Sequence, residues 1–367
     1  MSRRSASPEA ASRGSIERLR GEIDAVDDRL LGLLEERAEL AREIGRAKAR
    51  DGAVVYVPSR EKKILERLTR KRHSLPENVV RAVFREVISA CRSLERPVRV
   101  AYLGPEATFS HLAAREQFGA NAVLLPVGSI RQIFDEVERG RAEFGVAPIE
   151  NSTDGSVAHT LDRLLESDLK IAAEICLEVN HCLLSKTGRP EDVRRVLSHP
   201  QALAQCRRWL ATHHPQATLD ETASTARAAE VAAANADAAA IASGMAAEAY
   251  DLAILAENIQ DYSFNATRFV VVAAEDSPRP SGDDKTSAVF SVRDEVGILH
   301  RMLRPFSEHD INLTRIESRP LKGKPWEYVF FLDFLGHRKE RRVGRALASL
   351  DRICQMLKVL GSYPTWR

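Results

Sequence analysis

Pro97-Val98-Arg99-Val100-Ala101-Tyr102-Leu103-Gly104-Pro105-Glu106-Ala107-Thr108-Phe109-Ser110-His111 is the point at which the texture of this chain changes. Residues 98–103 form a short, mostly apolar run, and Gly104 and Pro105 end it before a segment that opens a helix. Strand, turn and helix start in that order predict an α/β unit, with backbone N–H groups and hydroxyls presented to an anion. Downstream, residues 123–127, 144–149 and 171–184 repeat the apolar or alternating run between helical segments. The alanine-rich stretch 226–256 is interrupted by Glu230, Asn235, Asp237, Glu248 and Asp251, so it reads as helix, short strand and helix rather than as a membrane span.

Upstream the period is helical. Leu19, Ile23, Val26, Leu30, Leu33, Leu40 and Ile44 recur at three- and four-residue steps, with Ser15 placed to cap. After a break at Gly52 and Pro58, helices are expected over residues 59–71 and 76–94, with Pro76 suited to a first turn. Residues 1–14, rich in Ser, Arg and Ala, read as a disordered tail with neither a signal-type apolar region nor a span. The division expected is an all-helical unit over 15–96, an α/β unit over 97–276, a linker over 277–284 and a final unit over 285–367. In that final unit strand, helix, strand, strand, helix and a short last strand predict a βαββαβ module.

The 367 residues are 44% hydrophobic, enough to bury the cores of two or three domains. Lys and Arg total 54 against 52 acids, a net charge of +2 without a dense basic block, so nucleic acid is not an expected partner. Cys91, Cys176, Cys182, Cys206 and Cys354 lack metal or CxxC spacing and fit free thiols in a reducing cytoplasm. The histidines, including His181 and His199, have no metal spacing either, and no cofactor is expected.

The first chemical signal is cationic. Arg37 and Lys48 are eleven residues apart, about three turns, so they share a face some 16 Å apart and can flank one small dianion. Arg20 falls on a different face, roughly 25 Å from Arg37, and cannot join that pocket from the same helix. The pattern Leu19-Arg20-x-x-Ile23-Asp24-x-x-Asp27-x-x-Leu30-Leu31, Leu34-x-x-Arg37, Ile44-Gly45-x-x-Lys48 and Arg60-Glu61 resembles the all-helical chorismate mutase family. The resemblance implies a homodimer or higher assembly of intertwined chains, with Arg20 crossing into the partner's site while Arg37, Lys48 and Arg60 serve their own. It implies that Arg20 and Arg37 hold the carboxylates of chorismate, Arg60 adds a carboxylate contact, Lys48 reaches the ether oxygen and Glu61 takes the ring hydroxyl. Such a rearrangement needs a compact substrate conformer and fixed positive charge, not a nucleophile. Two positions depart from the family pattern: Cys91 stands where serine is common, and Glu95 where glutamine would donate to the ether oxygen. Glu95 donates only when protonated, so mutase activity is expected to fall as it ionises.

The second signal follows the opening stretch. Pro148-Ile149-Glu150-Asn151-Ser152 with Gly155, Ser198-His199-Pro200-Gln201 with Gln205, Ser224-Thr225-Ala226 and Asn265-Ala266-Thr267-Arg268-Phe269 each fall near a strand end or helix start, where α/β sheets gather ligands. In this order they resemble the prephenate dehydratase family. That resemblance implies two α/β lobes of the periplasmic-binding-protein type, with the site in the cleft between them. Thr267 would act on the departing ring hydroxyl of prephenate, Glu150, Asn151, Ser198 and Gln205 would shape the pocket, and Ser224, Thr225 and Arg268 would hold carboxylates.

The third signal is Glu317-Ser318-Arg319-Pro320, preceded by Gly297-Ile298-Leu299 and Asn312-Leu313. With its surroundings it resembles the regulatory ACT domain, which implies phenylalanine bound between chains at these loops. The rival readings are a non-catalytic amino-acid sensor, a helical unit kept only for dimerisation, and arogenate in place of prephenate.

Overall fold

The computed structural model describes residues 8–51, 58–71, 73–293, 295–321 and 328–366; the Gly52 break and the first seven residues of the expected tail lie outside them. Three helices form the first unit: α1 (Pro8–Asp51), α2 (Pro58–Thr69) and α3 (Glu77–Glu95). Helix α1 begins well before the Ser15 cap that was expected. Ile23, Val26, Leu30, Leu33, Leu40 and Ile44 all stay exposed on it, so the periodic stripe read from the sequence lacks a cover among the described residues. Pro76 caps α3 from outside, as its missing N–H allows.

The α/β unit runs β1 (Arg99–Leu103), α4 (Phe109–Phe118), β2 (Val123–Val127), α5 (Ile130–Glu138), β3 (Phe144–Asn151), β4 (Gly155–Ser156), α6 (Ala158–Glu166) and β5 (Lys170–Glu178). It continues through β6 (Cys182–Ser185), β7 (Arg195–Ser198), α7 (Pro200–Gln205), α8 (Arg207–His213), β8 (Thr218–Glu221), α9 (Thr225–Ala234), β9 (Ala238–Ala242), α10 (Gly244–Tyr250), β10 (Ala253–Ala256) and β11 (Ala266–Ala273). These make two sheets, β2-β1-β3-β11-β5 with β4 beside β3, and β10-β6-β9-β7-β8. The apolar stretch 171–184 is therefore two strands in different sheets, and the chain crosses between lobes at residues 179–181. It crosses back before β11, where Val179 N donates to Asn265 O at 2.8 Å and ties the two crossings together.

The last unit is β12 (Asp284–Ser291), α11 (Ile298–Glu308), β13 (Leu313–Pro320), β14 (Tyr328–Leu335), α12 (Arg341–Asp351) and β15 (Met356–Pro364), the expected βαββαβ order in one sheet, β13-β14-β12-β15. Its final strand is not short but nine residues long. The reason is that β15 also packs on the α/β unit: Leu360 and Tyr363 share a core with Ile171 and Val270. At Gly361 the backbone passes so close to Ile171 that an added Cβ would lie 2.2 Å from its carbonyl oxygen. The segment expected as a linker is pinned as well, since Ser277 and Asp284 are buried and Asp284 accepts from Ser281 N and Oγ.

Candidate active sites

In the helical unit, α1, α2 and α3 bring Arg37, Lys48, Glu61 and Glu95 together. Lys48 Nζ lies 3.1 Å from Glu95 Oε2, and Arg37 Nη1 donates to Val87 O at 3.4 Å. Gly45 permits the approach of α1 to α3, because an added Cβ there would sit 3.0 Å from Glu95 Cβ. Burial holds the Glu61 carboxyl above its ordinary range, opposed by the charges of Arg92, Lys48 and Arg37. Arg92 is the residue that sequence reading missed: it is buried and donates to Glu61 Oε1 at 2.5 Å. One position before it, Cys91 is buried too. Lys48 is thus paired with Glu95, and Glu95 is enclosed in that pair. Arg60, one residue before Glu61 on α2, is exposed, and Arg20 lies in solvent with Glu17 Oε2 3.4 Å away, so Arg20 does not join this group within one chain.

Between the two lobes lies a cleft of about 620 Å³. Its wall includes Thr267, Asn151, Gln205, Ser224 and Thr225, five of the residues expected there. The helix starts of α4 and α9 open onto it, Thr108 capping the first by accepting from His111 N at 3.3 Å and Ser224 the second by accepting from Arg227 N at 3.0 Å. The N–H groups of a helix's first turn have no intrahelical partner and carry partial positive charge. Among the described lining residues there is no Lys, Arg, Asp or Glu, so negative charge in the cleft is met by these backbone dipoles. Thr267 Oγ1 accepts from Asn151 Nδ2 at 2.8 Å, the two strands β11 and β3 being in register at that pair.

Three expected residues do not reach the cleft. Arg268 follows Thr267 on β11 and points to the opposite face, as strand alternation requires. Its guanidinium meets Glu174 at 2.9 Å, Asp333 at 2.6 Å and Tyr363 Oη at 3.0 Å. Glu150 is turned the same way, 3.6 Å from Arg268 and 3.3 Å from Arg315. Ser198 ends β7 and is fully buried, its hydroxyl donating to Ile241 O of the neighbouring strand β9 at 2.6 Å. Two residues were missed, the lining residue His181 and the buried Asn265 behind the wall. Asn265 stood in the quoted motif without a role, and His181, on the lobe crossing, had no sequence signal beyond its place between two apolar runs. Asn265 Nδ2 donates to Gln205 Oε1 at 2.8 Å, and His181 Nε2 lies 2.8 Å from the same oxygen.

In the last unit Gly297 precedes α11 with φ +78°, a left-handed conformation that suits glycine, and Ile298 and Leu299 form the first turn. Asn312 is exposed and Leu313 half-buried at the start of β13. Along β13 the side chains alternate. Glu317 and Arg319 face the α/β unit, Glu317 accepting from Ser156 Oγ at 2.7 Å and Arg319 donating to Ala158 O at 2.7 Å. Ser318 and Pro320 are exposed. Among the described residues no group of three or more His, Cys, Asp or Glu could hold a metal ion, and no helix is long and apolar enough to cross a membrane.

Comparison with known proteins follows the same three-part division. Residues 19–96 match chorismate mutase type II, 100–277 match prephenate dehydratase and 286–352 match the ACT domain. A bifunctional chorismate mutase/prephenate dehydratase of Aquifex aeolicus is 49% identical over 95% of this chain and 98% of its own. Another, from Pseudomonas aeruginosa, is 42% identical over 96% and 99%. The crystal structure of a prephenate dehydratase from Arthrobacter aurescens in complex with L-Phe has a TM-score of 0.68 at 35% identity, covering 73% of this chain and 90% of that one. Identity of this order across nearly the whole length of both chains places the protein in the bifunctional chorismate mutase/prephenate dehydratase family.

Proposed function

We propose that the chain converts chorismate to prephenate in its helical unit and prephenate to phenylpyruvate in its cleft, with phenylalanine acting as feedback inhibitor at the ACT domain. The observation that carries the second activity is the Thr267 hydroxyl, held by Asn151 in a cleft whose positive potential comes from helix starts. Prephenate gives up carbon dioxide as the electron pair of its carbon–carboxylate bond enters the ring, the ring C–O bond breaks, and the hydroxide leaves as water with one proton taken ultimately from solvent. Thr267 donates its hydroxyl hydrogen toward the departing oxygen, and the starts of α4 and α9 hold carboxylates. The absence of Asp and Glu from the described lining favours the keto acid over arogenate, whose ammonium would need a counter-charge.

In the mutase site Arg37 and Arg60 bind carboxylates, Lys48 turns from Glu95 to the ether oxygen, and Glu61 receives the ring hydroxyl. Arg20 serves the site of a second copy. The exposed apolar stripe of α1 supports that assembly, for an intertwined homodimer would cover it. The cytoplasm suits five free thiols. Gly297, Asn312, Leu313, Glu317 and Ser318 line the effector site between copies, and the ligand inhibits through its preference for a less active cleft. Purified protein given chorismate accumulates phenylpyruvate after acid-free quenching. Failure to consume chorismate removes the first activity, and failure to convert supplied prephenate removes the second.

A further inference from the structure

The polar groups behind Thr267 form a chain whose hydrogen-bond directions are fixed from both ends. Asn151 Oδ1 accepts from the backbone N–H groups of Thr153 at 2.9 Å and Asp154 at 3.1 Å. Those groups can only donate, so the other end of this side chain is its NH2. Its two hydrogens go to Thr267 Oγ1 at 2.8 Å and Asn265 Oδ1 at 3.0 Å. From the opposite end, the Asp154 carboxylate only accepts, and Gln205 Nε2 donates to it at 2.7 Å. Gln205 Oε1 is therefore an acceptor, shared by Asn265 Nδ2 and His181 Nε2, each at 2.8 Å. Asn265 fits between, accepting from one neighbour and donating to the other.

Two consequences follow. Thr267 receives a hydrogen bond, and no acceptor among the described residues takes its own hydroxyl hydrogen, which is left for the cleft. Receiving a bond also polarises that hydroxyl toward donation. At the far end, His181 carries its hydrogen on Nε2, while Nδ1 is buried without a partner. Burial holds the ring below its ordinary pKa, since an imidazolium would place a second N–H where nothing accepts it. The ring is gripped by its edge-on contact with Phe109, centroids 5.5 Å apart, and by the backbone bond from His181 N to Gln260 Oε1 at 3.0 Å. It sits where the chain crosses between lobes, with Asn265 at the return crossing and Gln205 in the second lobe. The chain of bonds therefore spans the hinge, and its two ends belong to different lobes.

We propose that His181 is a positioning residue of the dehydration: its Nε2–H joins Asp154 in holding the Gln205 amide and, through Asn265 and Asn151, steadies Thr267 as hydroxyl donor to the departing oxygen. This rests on the dehydratase reading of the cleft. Without the imidazole donor, Gln205 Oε1 keeps only the Asn265 bond, and the amide is held in place by Asp154 alone. If Asn265 then flips, its NH2 faces the Asn151 NH2 and the support of Thr267 is lost.

The test is steady-state turnover of prephenate by the full-length protein. His181→Leu lowers kcat by about 10–100-fold, less than the roughly 100–1000-fold of a donor that touches the reacting oxygen itself, with KM within about threefold of wild type and the mutase rate unchanged. His181→Gln, which returns an N–H near the Nε2 position, recovers most of the loss. Wild-type kcat in His181→Leu overturns the proposal, and so does a rise in KM with kcat kept, which would make the ring a substrate contact. Should His181→Leu fail to fold, a second series decides. Gln205→Glu alone sets two carboxylates against each other and lowers kcat. Asp154→Asn added to it restores a donor and acceptor pair with the direction of that one link reversed, and kcat rises again; no recovery overturns the proposal. Wild-type protein inert toward prephenate would instead refute the dehydratase reading itself.

Discussion

Asp333→Asn tests how the regulatory unit is held on the dehydratase unit. Asp333 on β14 and Glu174 on β5 supply two negative charges, Arg268 on β11 and Lys285 on β12 two positive ones, and all four side chains are at most 15% exposed. At 2.6 Å, the attraction between Arg268 and Asp333 is about 6 kcal/mol at an effective dielectric of 20. Part returns in the variant because an amide is easier to bury than a carboxylate, and breaking one member of a buried pair costs about 3–5 kcal/mol. At roughly 2–4 °C per kcal/mol for a part of this size, the corresponding transition in scanning calorimetry falls by about 6–20 °C. Lys285→Met in the same background removes the surplus cation, and the double variant recovers about 1 kcal/mol or more of coupling. The pH dependence has a defined sign. Burial alone would raise the Asp333 pKa, but Arg268, the Ser287 hydroxyl and Arg315 outweigh it and hold it below the ordinary value. The carboxylate thus contributes stability above its unfolded pKa of about 3.9, lost as pH falls through the lower folded value; Asp333→Asn flattens that acid limb. A single variant melting within about 2 °C of wild type would refute the reasoning, since that shift corresponds to no more than about 1 kcal/mol.

Thr267→Ala abolishes phenylpyruvate formation by a factor of about 100 or more while chorismate consumption continues; dehydratase turnover within tenfold of wild type would exclude Thr267 as the hydroxyl donor. Arg92→Met leaves Glu61 buried without its nearest cation, so the fall of mutase activity toward acid, as the carboxylate protonates, moves to higher pH. A pH–rate profile superposable on wild type would detach Glu61 from the chemistry. Glu95→Gln releases Lys48 from its 3.1 Å partner and supplies an amide donor, so mutase kcat rises; an unchanged kcat refutes the role given to Glu95. Calorimetric titration with phenylalanine shows binding that Glu317→Ala weakens by about tenfold, and binding indifferent to that change would move the effector site elsewhere.

The three-part division and the strand and helix order were legible because apolar period alone carries them: three- and four-residue steps in the helical unit, short runs beyond Pro97. Thr267, Asn151 and Ser224 were legible as motif members because their roles are local, a strand end and a helix cap. Arg268 and Glu150 were misread for a reason that the sequence itself contained. They alternate with Thr267 and Asn151 on paired strands, so they had to face the other side of the sheet. What local pattern could not supply was the cover of that other side, which is β15 and the sheet of the last unit. His181 and Arg92 were silent because each acts through a partner far off in sequence, Gln205 and Glu61, and only tertiary packing joins them.

Both neighbours of the dehydratase unit grip elements that build its cleft, one at the far end of a helix and one on the opposite face of a strand. Helix α4 starts at the cleft and ends at Phe118, whose carbonyl accepts from Ser89 Oγ at 2.9 Å and from Arg92 in the mutase unit. A cation there complements the negative end of the helix. Strand β11 turns Thr267 into the cleft and Arg268 toward Asp333 of the regulatory unit. The cleft draws its positive potential from helix starts, which do not titrate, so an effector cannot silence it by discharging a side chain there. Inhibition must instead move an element, and β11 is held between β3, over Thr267–Val272, and β5, over Ala266–Ala273, so it does not move alone. The softer coordinate is rotation of the second lobe about the crossings at His181 and Asn265, the motion that would part Gln205 from Asp154 and break the bonded chain behind Thr267.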